Sequence, residues 1–159
     1  MAGKSRVPAS AYWALKIGLG ATAFLAGADK FTNRMVNWEK YLSPAARRKL
    51  PVSGSTFMKL TGVIEMGVGA MILGRQTRLG GFIASAWLLG IAANLVTEQD
   101  YYDIAARDVN MAVGAYTLGR LAEGRAARAA ERSPQRRTIR TPAPSQTRQA
   151  PLDLSREAA

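Results

Sequence analysis

The chain has no cysteine and no histidine among its 159 residues. That double absence excludes disulfides, thiolate nucleophiles, haem and iron–sulfur ligation and the usual zinc coordination spheres. Chemistry by this chain would have to use carboxylates, Arg, Lys, Tyr or a borrowed cofactor. No residue stands out as catalytic, no metal site is expected, and independent catalysis lacks its commonest groups. Acidic residues are also scarce: 11 Asp and Glu against 22 Lys and Arg give a net charge of +11.

Such a charge suits nucleic acid in a water-soluble protein, but its placement argues otherwise. Nine of the 22 basic residues lie between Arg120 and Arg156, in a segment with few large apolar side chains. Residues 122–159 therefore cannot bury enough surface to offset the entropy of ordering, and composition predicts a disordered Arg/Pro-rich tail. A cytoplasmic tail near anionic lipid headgroups accounts for the charge. No basic patch is interleaved with aromatics, so nucleic acid is not an expected partner.

What is abundant is hydrocarbon, 48% of residues, almost all between Tyr12 and Leu121. Four apolar windows span residues 12–28, 56–74, 79–96 and 104–121, each close to the ~20 residues a helix needs to cross a ~30 Å bilayer core. The fourth is the weakest, because Arg107 and Asp108 fall inside it. A soluble helical bundle would give every helix a polar outer face, and "FIASAWLLGIAANLV" (82–96) has none. The expected fold is all-α: a four-helix transmembrane bundle in the bacterial cytoplasmic (inner) membrane, with the lipid bilayer as its first partner.

Charge sets the expected orientation. Lys4 and Arg6 in the 1–11 terminus, Arg75 and Arg78 in the second turn, and the tail share one side, which the positive-inside rule makes cytoplasmic. The turn holding Glu98, Asp100 and Asp103 is acidic, as an outer loop should be. The outer loop 29–55 dissents, with Lys30, Arg34, Lys40, Arg47, Arg48 and Lys49. Within it, "MVNWEKYL" (35–42) is amphipathic, and Ser43 followed by Pro44 reads as an N-cap and first helical residue, so short interfacial helices are expected. An alternative for the first window is a secretory signal cleaved near "AGA" (26–28), which Lys16, Gly18 and Gly20 weaken.

Inside the second window, "GVIEMGVGAMILG" (62–74) carries one acid. Glu65 lies nine residues from the outer side, ~13 Å at 1.5 Å per residue, and Arg107 and Asp108 lie ~8–9 Å down. Asn94 and Asp29 sit nearer the outer surface. A lone charge at a helix centre costs about 2.5–3.5 kcal/mol on insertion scales, so Glu65, Arg107 and Asp108 should face inward, with Arg107 forking between the acids. Such a cluster either fixes helix register or forms a ligand or proton site, with Trp87 and Tyr102 as candidate lining. Small residues at four-residue spacing, Gly18, Thr22 and Ala26 and again Ala86, Gly90 and Asn94, mark candidate packing stripes.

"FLAGADKF" (24–31), "NWEKYL" (37–42), "GVIEMGVGAMIL" (62–73), "AWLLGIAANL" (86–95) and "YYDIAARDVNMAVGAYTLGRL" (101–121) together resemble the DoxX-like family of small bacterial membrane proteins. The resemblance covers about residues 12–121. It implies four transmembrane helices and association with redox systems, since members include a subunit of a thiosulfate to quinone oxidoreductase and partners of oxidative-stress enzymes. The expected role is an accessory or structural subunit among other membrane protein subunits, in electron transport. The alternative is a quinone or small hydrophobic substrate site at Glu65, Arg107 and Asp108, quinone being the one cofactor in view. A transporter would use the same carboxylates, but the chain shows no inverted repeat.

Overall fold

A computed structural model describes residues 8–97 and 101–139. Lys4, Arg6, Glu98, Asp100 and the tail beyond residue 139 lie outside the described residues, and so do the expectations placed on them. Helices α1 (Ala9–Asp29), α2 (Pro44–Lys49), α3 (Gly54–Leu73), α4 (Thr77–Thr97) and α5 (Tyr102–Ile139) make up the described structure, with a 3-10 turn at Trp38–Tyr41 and no strand among the described residues. Contacts divide the chain into one unit up to Ala126 and a second from Ala127.

The helix ends follow local chemistry. Ser43 caps α2 by accepting from the Ala46 amide, with Pro44 in the first turn, and Ser53 caps α3 by accepting from Thr56, each satisfying an amide with no partner inside its helix. At the end of α1 the Thr32 and Asn33 amides both donate to the Asp29 carbonyl. Asn33 has a φ of 48°, a left-handed conformation that Asn adopts at low cost. Lys16, the charge that interrupts the first apolar run, is buried and donates to the Gly74 carbonyl at 2.8 Å. Its ammonium therefore sits at the negative end of α3.

In the first unit the long helices alternate in direction. Backbones of α1 and α3 cross closely: a Cβ on Gly27 would lie 2.6 Å from the Gly62 carbonyl oxygen, and one on Gly69 would lie 2.7 Å from the Phe24 amide. Only glycine leaves room for that approach. The contact face of α1 is thus Gly20 and Gly27, and that of α3 is Gly62 and Gly69, each pair two turns apart. This corrects the expected stripes, because Gly18, Thr22, Ala86 and Gly90 are exposed. Gly81 of α4 meets Ala115 and Gly119 of α5 in the same way.

Two apolar clusters result. One gathers Val68, Ile72, Ala84, Ala115 and Leu118, and the other Ala92, Leu95 and Ala105 under Tyr41. Outside them the surface stays apolar: Ile17, Leu25, Val63, Leu79, Leu89 and Val113 are each between 49% and 60% exposed. Two helices, α3 and α4, are long and apolar enough to cross a membrane, and only 33% of each apolar window is buried inside the structure. Most of each window therefore faces away from the rest of the described structure. Lys16 in α1 and Arg107, Asp108 and Asn110 in α5 lower the mean hydropathy of the other two windows.

The expectation of a disordered segment from residue 122 is corrected over 122–139, where α5 continues to Ile139. The sequence "EGRAARAAER" (123–132) buries little, but Ala and Arg are strong helix formers, so local propensity extends a helix already nucleated by packing.

Gly27→Ala and Gly69→Ala should each destabilise the detergent-solubilised protein by about 1–3 kcal/mol, the range for overpacking. Gly18→Ala and Gly90→Ala, which meet nothing, should be neutral or raise the melting temperature. Thermal unfolding followed by circular dichroism measures all four.

Candidate functional site

The crossing of α1 over α3 positions the site. Gly62 lies under Lys30, the residue that ends α1, so close that a Cβ there would sit 3.1 Å from the Lys30 Cβ. One turn further along α3 is Glu65. Lys30 Nζ contacts Glu65 Oε2 at 2.5 Å, and the two side chains are only 5% and 10% exposed. The ammonium also sits 3.7 Å from the centre of the Trp38 ring, a cation–π contact strengthened by exclusion of water. Trp87 of α4 directs its indole Nε1–H toward the other carboxylate oxygen at 3.4 Å. Both oxygens of Glu65 thus face donors.

Asp108 of α5 is half-buried and within electrostatic range of Glu65, Lys30 and Arg107. Along α4 and α5, Trp87 and Asp108 fall between the residues of the two apolar clusters, and Glu65 of α3 joins that layer through Trp87. The site is one polar layer with hydrocarbon on either side. Its charges are the Lys30 ammonium against the Glu65 and Asp108 carboxylates.

The remaining candidates are placed elsewhere. Arg107 does not reach Glu65; its side chain is 73% exposed and pairs with Asp103, one turn back, at 2.9 Å. Successive residues on a helix are 100° apart, so an inward Asp108 turns Arg107 out. Tyr102 is 55% exposed and lines nothing. Asn94 donates from Nδ2 to the Tyr41 carbonyl at 2.8 Å and ties α4 to the 3-10 turn, where Tyr41 also meets the edge of Tyr101.

Asp29 organises the loop beside the layer. Its carboxylate accepts from the Arg34 and Met35 amides, the Thr32 hydroxyl and the Trp38 indole at 2.9–3.1 Å. Trp38 is held there for its ring to cover Lys30. Burial pushes the Asp29 carboxyl up, but the bonds from Trp38, Met35, Thr32 and Arg34 outweigh it and hold its pKa below the ordinary aspartate value.

Reasoning from sequence missed Lys30 and Trp38 as site residues. Lys30 was counted among the loop's basic residues, and its burial against Glu65 removes one charge from the loop that opposes the positive-inside pattern.

Breaking the pair by Lys30→Met or Glu65→Leu should cost about 3–5 kcal/mol, because each leaves a buried charge alone. The double variant Lys30→Met/Glu65→Leu should recover most of that loss, whereas Arg107→Ala should cost under about 1 kcal/mol as an exposed pair. Chemical or thermal unfolding in detergent gives the four values.

Because the folded pKa of Asp29 is lowered, its stabilisation is complete above the unfolded value of about 3.9 and is lost as pH falls through the folded pKa. The melting-temperature difference between wild type and Asp29→Asn should be constant from pH 7 to about pH 5 and shrink below about pH 4. No protein-family profile, no curated protein and no solved structure matches this chain.

Proposed function

We propose that this chain is an integral membrane protein of four spans, α1, α3, α4 and the first part of α5, acting as an accessory or structural subunit of a larger membrane assembly. The observation that carries the reading is the saturated Lys30–Glu65 pair. Glu65 is the acid in the most apolar setting, and its oxygens face Lys30 and Trp87. A carboxylate committed to its own chain fixes the register of α1, α3 and α4 and leaves little to offer a ligand.

Lipid as the solvent is supported by the apolar exterior. An aliphatic side chain left in water forgoes about 1.5–3 kcal/mol relative to full burial, and every long helix of the first unit carries several such side chains outward. With the turn at Arg75 and Arg78 on the cytoplasmic side, both chain ends fall there and the loop after α1 falls outside, in a bacterial cytoplasmic membrane. The link to electron transport rests on the resemblance to DoxX-like proteins.

A second reading, a quinone or another small hydrophobic ligand at the same layer, is favoured by one feature: among the described residues Asp108 has no hydrogen-bond partner. A half-buried carboxyl within electrostatic range of Glu65 and Lys30 can face a ligand carbonyl.

Blue-native electrophoresis of gently solubilised membranes separates the readings. The accessory role expects migration as a complex well above twice the chain's own size, retained by Lys30→Met/Glu65→Leu and by Asp108→Asn. Migration at the size of the chain alone contradicts it. Quinone-dependent stabilisation of the wild type that Asp108→Asn abolishes would establish the ligand reading instead.

A further inference from the structure

The two ends of the first unit treat their basic residues differently. At the end holding the turn between α3 and α4, Arg78 and Arg120 share Glu123, Lys16 donates to the Gly74 carbonyl, and Arg125 lies 4.4 Å over the Tyr12 ring. Arg75 is the one bare cation there among the described residues. At the opposite end, residues 31–53 carry Arg34, Lys40, Arg47, Arg48 and Lys49 against a single acid, Glu39. That acid is engaged elsewhere. A Cβ on Gly54 would lie 3.1 Å from Glu39 Oε2, so the carboxylate sits at the positive end of α3. Arg47 donates to the Glu39 carbonyl and Lys40 covers the Tyr41 ring. Arg34, Arg48 and Lys49 are exposed, as is Lys59 of α3, and among the described residues none of these four side chains has a hydrogen bond, an ion pair or a ring contact.

Bare cations alone suit any anion. The hydrocarbon beside them narrows the partner. Met35 is 74% exposed, and Phe31 and Val52 are exposed with it. Along α3 the exposed side chains change from Lys59 to Leu60, Val63 and Ile64, which marks where headgroups would give way to acyl chains. Gly54 lies five residues before Lys59, ~8 Å at 1.5 Å per residue, and the headgroup region on each side of a bilayer is ~5–8 Å thick. Glu39 against Gly54, and Arg47 on the Glu39 carbonyl, tie α2 to that level.

We propose that α2 and the loop around it form a site for anionic phospholipid headgroups in the leaflet that α2 faces. The proposal rests on the membrane reading above. Arg48 and Lys49 engage the lipid phosphodiester, the guanidinium as a fork on its two free oxygens and the ammonium as a point charge. Met35 and Val52 enter the acyl boundary beside them, the mixture of apolar and basic contact by which a segment lies in a charged membrane surface. The cations that dissent from the positive-inside pattern thereby have an anion of their own. A lipid held there also braces the loop whose Trp38 covers Lys30.

The absence of cysteine makes the test direct. Val52→Cys places one thiol beside α2, and Val63→Cys places one on the exposed face of α3 below the headgroup level. Each full-length variant is labelled with bimane and reconstituted in phosphatidylcholine vesicles. Quenching is measured with phosphatidylglycerol or phosphatidylcholine carrying a spin label high on the acyl chain, at equal mole fraction. The Val63 label should be quenched by both lipids. The Val52 label should be quenched at least about fivefold more by phosphatidylglycerol, the worth of one basic residue at a charged surface. Arg48→Gln/Lys49→Gln, which breaks no contact within the chain, should bring the two lipids to parity, whereas Arg75→Gln/Arg128→Gln should leave the preference in place. Equal quenching at Val52, with Val63 quenched, overturns the headgroup site and leaves the membrane reading standing. A preference that survives Arg48→Gln/Lys49→Gln overturns the assignment to α2. A Val52 label that faces water in vesicles but is shielded in native membranes overturns the lipid in favour of an acidic protein. No quenching at Val63 by either lipid overturns the membrane reading itself.

Discussion

A lysine ammonium and a glutamate carboxylate, brought together where two helices touch backbone to backbone, set the geometry of the first unit. The pair depends on glycine: were Gly27 or Gly62 any larger, α1 and α3 would part and Lys30 could not reach Glu65. In turn the pair fixes the register of the crossing, because a slide of one turn along either helix would strand a charge. Trp38 and Trp87 complete the shell from the loop and from α4. Asp29 then serves the same end from one residue away, since the indole it holds is the one that covers Lys30. A short run of sequence, "GADKF" (27–31), thus supplies the close contact, the loop anchor and the cation.

The arrangement of the rest follows from separating hydrocarbon from charge. Apolar clusters lie on both sides of the polar layer, and the helix exteriors are apolar again, so the layer is enclosed along the helices and across them. At one end of the structure Lys16 meets the carbonyl end of α3, and Arg78 and Arg120 share Glu123. At the other, Asn94 and Tyr41 tie α4 to the loop. Charges that are not used inside are gathered at the two ends, as a lipid surrounding would require.

The sequence makes some of this legible and hides the rest for identifiable reasons. Glu65 declares itself because an acid in an apolar run must be compensated. Its partner does not, because Arg107 has a suitable depth but an unsuitable angle. The series Ala105, Asp108, Ala112, Ala115 and Gly119 marks the inward face of α5, and reading that period would have turned Arg107 out. Lys30 stood just past an apolar window and looked like loop charge. Only the matching of Gly27 to Gly62, a long-range pairing, brings it to Glu65. Hydropathy located the long helices, while the helical extension to Ile139 escaped because low hydrophobicity bears on tertiary burial and not on the local preference of Ala and Arg.

The central claim is that Lys30, and not Arg107, neutralises Glu65 inside a lipid-surrounded structure. Solid-state NMR on isotopically labelled protein in phospholipid bilayers measures it most directly, through the dipolar coupling between Lys30 Nζ and the Glu65 carboxyl carbon. The account predicts a strong coupling, the signature of direct contact, that survives exchange into different lipids. A Glu65 carboxyl coupled to the Arg107 guanidinium, or to no nitrogen cation, would contradict it.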